Sequence, residues 1–149
     1  VGVNIDQSYN TTTRVLDVTV NANFVDYAVG DLRIGLALTE NKVTGSGSGY
    51  NQVNYYNSQA GHPYYQAGNP IVGFEHNHVL RSNPPGVYGQ ASLIPGTANP
   101  SSSYAYTTSV TLPAGWDENE IEIVGFVYEY NADLAKGEVL NSASENLQL

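Results

Sequence analysis

The amino-acid sequence predicts an all-β protein: an antiparallel β-sandwich with Greek-key or jelly-roll connections, about eight strands and a long Tyr/Asn/Gly-rich loop. Three observations carry this prediction. Apolar residues recur with a period of two along one stretch after another. No stretch shows a capped helical period. Clusters of Gly, Pro, Asn and Ser punctuate the chain between these stretches. A closed barrel is the alternative arrangement of the same strands. With 149 residues and 41% hydrophobic content, the chain is long enough to bury a substantial core and is read as one domain over residues 1–149.

Val3 and Ile5 open a first strand, which leads to a turn at Tyr9-Asn10-Thr11-Thr12-Thr13. Leu16, Val18, Val20, Ala22 and Phe24 then share one face, with Asp17, Thr19, Asn21 and Asn23 on the other. That is the pattern of a strand with one wet side. Leu32, Ile34, Leu36 and Leu38 repeat it. Residues 41–69 are rich in Gly, Asn and Tyr, and they make a long stretch for a structureless connection. A functional or ordered Ω-like excursion is expected there.

A further strand is expected over residues 71–81, with Val72, Phe74, His76, His78 and Leu80 on one side. Pro84-Pro85-Gly86 breaks the chain, and a short strand is expected over residues 87–93 before the Pro95-Gly96 and Asn99-Pro100 turns. Tyr104, Tyr106, Thr108, Val110 and Leu112 alternate up to Leu112-Pro113-Ala114-Gly115-Trp116. Residues 121–130 are apolar on both sides, which predicts a central strand. Residues 132–136 fit one helical turn, and Lys136-Gly137 leads into a last strand over residues 138–142.

Composition narrows the function classes. Cysteine is absent, so there is no disulfide, thiol nucleophile or thiolate metal site. A net charge of -9, from 14 acids and five bases, disfavours nucleic acid and anionic membrane, since both reward clustered Lys and Arg. No apolar run reaches the roughly 18 residues of a membrane helix. The chain begins at Val1 without a signal-peptide pattern and is read as a mature or excised segment. Tyr, Asn, Ser, Thr and Gly with few lysines is a composition common in bacterial surface and secreted proteins.

Asp117, Glu118, Glu120, Glu122, Glu129, Asp133, Glu138 and Glu145 face only Lys136 in the last third. They make a solvated face, a weak Ca site, or a contact for a basic partner. No nucleophile elbow, P-loop or His-Glu-x-x-His motif occurs, so the expectation is a non-enzymatic chain.

Two regions hold the candidate site residues. His76 and His78 are two apart, so in a strand both imidazoles leave one face, which suits two ligands of a Zn or Cu ion; His62 is the candidate third ligand. The competing reading is a structural hydrogen-bonded pair. Arg81 can clamp a ligand carboxylate, or it can close an internal salt bridge, with Glu75 as one possible partner. Tyr55, Tyr56, Tyr64 and Tyr65, interleaved with Asn54 and other amides, have the chemistry of a sugar- or peptide-binding surface. Aromatic faces stack, and amides both donate and accept. The same tyrosines can equally pack the loop down. Trp116 reads either as an exposed binding aromatic or as a loop anchor.

Several blocks in order resemble one family. They are Asn51-Gln52-Val53-Asn54-Tyr55-Tyr56, His76-Asn77-His78-Val79-Leu80-Arg81, Tyr88-Gly89, Leu112-Pro113-Ala114-Gly115-Trp116, Val124-Gly125-Phe126-Val127-Tyr128 and Glu138-Val139-Leu140-Asn141-Ser142. Together they are similar to the C-terminal region of Omp28-related proteins of Bacteroidetes. The resemblance implies an exported protein of the outer membrane or cell surface. Many members carry a thioredoxin-like domain before this region, but no redox role transfers to a chain without cysteine. The expectation is a surface module that binds an envelope protein, glycan or peptide. Metal binding is the alternative, and support of a neighbouring domain or assembly a third reading.

Overall fold

The computed structural model describes residues 1–149. Nine strands form: β1 Gly2–Asn10, β2 Val15–Asn23, β3 Ala28–Val29, β4 Asp31–Glu40, β5 Val79–Ser82, β6 Thr97–Ala98, β7 Ser103–Thr111, β8 Ile121–Tyr130 and β9 Glu138–Asn146. The only helices are single 3₁₀ turns at Ser48–Tyr50, Glu118–Glu120 and Leu134–Lys136. The last lies where one helical turn was expected. The chain forms two compact units: Val1–Glu40 with Leu80–Leu149, and Asn41–Val79.

The first unit is an antiparallel β-sandwich. One sheet has the order β1-β2-β7 and the other β5-β4-β8-β9, with β3 and β6 as a separate two-residue pair. Period-two alternation places the core. Leu16, Val18, Val20 and Ala22 on β2, Leu32, Ile34, Leu36 and Leu38 on β4, and Ile121, Ile123 and Val127 on β8 are all buried. β8 lies between β4 and β9, as its two-sided apolar character predicted.

The β1–β2 turn is held by Asn10, whose Oδ1 accepts from the N–H groups of Thr12 and Thr13. Arg14 follows, and its guanidinium donates to Glu118 Oε2 at 2.6 Å and to the Trp116 carbonyl at 2.8 Å. The Tyr9 hydroxyl donates to the same Glu118 oxygen at 2.6 Å, and burial followed by this bond raises its pKa.

Gly125 on β8 faces side chains of the other sheet with no room for a methyl group. A Cβ there would lie 2.8 Å from Val20 Cγ1 and 3.3 Å from Ile5 Cγ1, both core side chains. Val20 is β-branched and cannot swing away cheaply. Gly125→Ala is therefore expected to lower stability by about 2 kcal/mol through overpacking. Urea denaturation checks this, and an unchanged midpoint would mean that the sheets part freely enough to admit a methyl group.

Two expected strands differ in the structure. Residues 87–93 form no strand; Gln90 makes only an isolated bridge to Ile34, because Pro84, Pro85, Gly86 and Gly89 keep this segment in turns. Residues 71–81 are strand only over Val79–Ser82. Ile71 and His76 form isolated bridges, Gly73 has φ +71° and His78 has φ +54°. Left-handed residues at two points destroy the alternation that a continuous strand requires.

Candidate functional site

The unit Asn41–Val79 is built from turns and amide side chains rather than from a sheet. Its chain ends meet through Asn41 Oδ1, which accepts from the His78 N–H at 2.9 Å, and through Asn77 Oδ1, which accepts from the Lys42 N–H at 3.0 Å. Val43 and His76 exchange backbone hydrogen bonds, as do Gln52 and Ile71. The Tyr50 ring lies over Gly45, where a Cβ would come within 2.6 Å of it.

Asn54 is the centre of this unit and is only 3% exposed. Its Nδ2 donates to the carbonyls of Tyr64 and Gly68, both at 2.9 Å, and its Oδ1 accepts from the Tyr56 N–H at 3.0 Å. Its own N–H donates to Asn69 Oδ1 at 3.1 Å. One amide thus ties three turns together, using both donors and one acceptor. Asn57 supports it, with Oδ1 accepting from the Gly68 N–H at 2.9 Å.

Those turns shape a pocket of about 380 Å³ lined by Gln52, Val53, Asn54, Tyr55, Tyr56, Tyr64, Ile71 and Phe74. This volume falls within the roughly 300–1,000 Å³ typical of small-ligand sites. No lining residue is charged. Tyr55 is 87% exposed, and Tyr56 and Tyr64 are also exposed. The Tyr56 ring is held by stacking on His62, centroids 3.9 Å apart. Tyr64 meets Phe74 edge to face at 6.0 Å, and Phe74 meets His76 at 5.1 Å. The rings of Tyr56, Tyr64 and Phe74 are therefore held by aromatic neighbours, while Tyr55 stands open to solvent.

Of the residues singled out in the sequence, Asn54, Tyr55, Tyr56 and Tyr64 come together in this pocket. Tyr65 does not line it; its hydroxyl accepts from Gln66 Nε2 at 3.2 Å. Val53, Ile71 and Phe74 were not among the candidate binding residues, and Gln52 entered only as one of the amides interleaved with the tyrosines. Phe74 was expected to alternate along a strand, and Gly68, Pro70 and Gly73 were the available signals that no strand runs there.

The histidines do not converge. The His76 Nε2 lies 2.9 Å from the Tyr50 carbonyl, so this nitrogen carries the proton. The His62 Nδ1 accepts from the Tyr64 N–H at 3.1 Å. His78 sits at the left-handed position, so it does not share a regular strand face with His76. No three His or carboxylate side chains gather where a metal ion would be held, and this applies equally to the acidic stretches considered for Ca. Glu118 bonds Arg14 and Tyr9, Glu145 accepts from Gln7, and Asp133 pairs with Lys136.

Arg81 belongs to the sandwich unit, and its partner is Glu40 rather than Glu75. Arg81 Nε donates to Glu40 Oε2 at 2.6 Å, and its guanidinium lies 5.9 Å from the Trp116 ring centroid. Trp116 packs against the core, so it serves as an anchor. A second aromatic group in the sandwich unit was not anticipated. Arg33 lies 3.7 Å over the Tyr130 ring and donates from Nε and Nη2 to Asp31. These bonds hold the Asp31 carboxyl below the usual carboxylate range. Tyr88 packs on Tyr128 and Tyr130. The Asp31-x-Arg33 spacing was a readable signal of the ion pair, whereas Tyr88 was not locatable from spacing.

A family model, described as Outer membrane protein Omp28, matches residues 1–148. The chain belongs to the Omp28 family. Membership places it among outer membrane proteins and bears out the surface localisation expected from the sequence blocks. Among solved structures, the Omp28 chain is similar to HBP35 of Porphyromonas gingivalis, with a TM-score of 0.61 and 14% identity. The match covers 97% of the Omp28 chain and 40% of the HBP35 chain. At this identity the likeness establishes a shared fold. No curated protein sequence matches the chain. No helix is long and apolar enough to cross a membrane.

Proposed function

We propose that this Omp28 chain is a non-enzymatic binding module of the bacterial surface, and that it holds its ligand in the pocket of Tyr55, Tyr56, Tyr64 and Phe74. The observation that carries the reading is an open, ligand-sized pocket whose walls are aromatic rings and amides. Buried Asn54 pre-forms the backbone around it, so little ordering would remain to oppose binding. Uncharged walls favour an uncharged group: a sugar ring stacked on a tyrosine face, or an apolar side chain of a peptide or envelope protein.

Glycan and peptide arrays probed with the purified chain test this, followed by titration calorimetry on the strongest hits. Replacing Tyr55, Tyr56 and Tyr64 together with alanine is expected to weaken binding at least about tenfold, the loss that removal of aromatic anchors brings. Affinity unaltered for every ligand so found would overturn the reading.

A further inference from the structure

We propose that β7 is a pairing edge for a second copy of this chain. Two β7 strands would join antiparallel about a two-fold axis at Thr107 and make one six-stranded sheet from two three-stranded ones.

β7 bonds only β2, and the other side of its ladder is open. Which residues face the open side follows from the pairs that flank the strand. The Leu112 N–H donates to the Arg14 carbonyl at 2.8 Å, and the Ser102 carbonyl accepts from the Phe24 N–H at 2.9 Å. Antiparallel ladders alternate, so the even-numbered residues between them face β2. The N–H and C=O of Ser103, Ala105, Thr107, Ser109 and Thr111 point the other way, and no backbone or side-chain group of the chain bonds to them.

The other three sheet edges are protected, each by a recognised device. β1 carries Asp6 and is tied to β9: Gln7 donates to Glu145 and to the Asn146 carbonyl, and Asn141 donates to the Val1 carbonyl. β9 carries Glu138 and Glu145, and its register shifts by one residue at Leu140, opposite Val127 and Tyr128 of β8. β5 has four residues, one of them Arg81, with Pro84 and Pro85 close behind. β7 has nine residues without a charge, proline, glycine or bulge.

Its sequence also fits itself. Centred on Thr107, Ser103 would pair with Thr111, Ala105 with Ser109, and Thr107 with its own counterpart. Each of these pairs exchanges two backbone hydrogen bonds. On the inner face, Tyr104 would meet Val110 of the second copy, and Tyr106 would meet Thr108. Aromatic against β-branched is a favourable cross-strand combination, and these are the non-hydrogen-bonded positions where side chains lie closest. Tyr104, Tyr106 and Val110 pack on the core yet remain only partly buried, so a second strand would cover them. The uncharged strand lets two acidic chains meet without placing like charges in register, and the two-fold axis closes the assembly.

Light scattering on the purified chain across a concentration series tests this. The expected mass rises toward twice that of one chain. Thr107→Lys sets two ammonium groups opposite each other at the axis and is expected to raise the dissociation constant at least about tenfold. Its fold should persist, since Thr107 is exposed and its side chain is held by one exposed hydrogen bond, to the Thr19 hydroxyl. Thr107→Pro removes the central outward N–H without touching the β2 ladder and is expected to give the same loss. A Thr107→Lys dimer as tight as the wild type overturns the proposal. A wild-type monomer at every concentration also overturns it, and leaves this edge to a strand of a different chain.

Discussion

Replacing Arg81 with alanine is expected to lower the unfolding free energy by about 3 kcal/mol. Glu40 ends the inward-facing series of β4 and is 5% exposed, at a position where Leu32, Ile34, Leu36 and Leu38 precede it on the same face. Two groups keep its carboxylate there: Arg81 Nε at 2.6 Å and the Asp117 N–H at 3.0 Å. Removing the guanidinium leaves a buried charge with one neutral donor, which is the costly way to break an ion pair. Contact with Trp116 is lost as well. A joint Glu40→Leu, Arg81→Leu replacement removes both charges and is expected to recover most of the loss. Chemical denaturation of both variants separates the cases. A cost below about 1 kcal/mol for Arg81→Ala alone would show that water reaches Glu40 and that the pair behaves as a surface pair.

How much of the molecule was legible depends on how local the determining physics is. β2, β4, β7 and β8 were readable because their faces are set by neighbours two residues away, and one buried side per strand leaves a clear record at Leu16 to Phe24 or Leu32 to Leu38. The segment 71–81 shows a similar alternation at Val72, Phe74 and Leu80 but is interrupted by left-handed Gly73 and His78, and the conformation of a histidine cannot be read from its identity. Glu40 and Arg81 are 41 residues apart, so their pairing depends on which strands become neighbours. The tyrosine-rich stretch was legible as an ordered excursion, since its length and its Gly, Asn and Tyr content are local features. Phe74 and Ile71 were missed because they complete the pocket across turns that periodicity does not describe.

Asn54→Ala is expected to cost about 3 kcal/mol of local stability in the unit Asn41–Val79. That unit has no extended sheet, so the polar groups of its turns rely on side-chain amides. The substitution deletes three side-chain hydrogen bonds, strands the Gly68 carbonyl and the Tyr56 N–H, and leaves the Tyr64 carbonyl with the Ala67 N–H alone. Asn54→Asp separates geometry from donor capacity. Its carboxylate still accepts from the Tyr56 N–H but sets negative charge against two carbonyls that had received Nδ2 protons, so it is expected to be at least as damaging as alanine. Amide hydrogen exchange is the appropriate readout, because local opening need not move the global unfolding transition. Faster exchange should appear at Tyr56, Gln66 and Gly68, whose N–H groups bond within these turns. The N–H groups of β2 and β8 should keep their protection. Unchanged exchange at those turn residues in both variants would show that aromatic stacking, as of Tyr56 on His62, holds the pocket without the amide. The pocket would then be organised by its rings, and ligand affinity would survive the loss of Asn54.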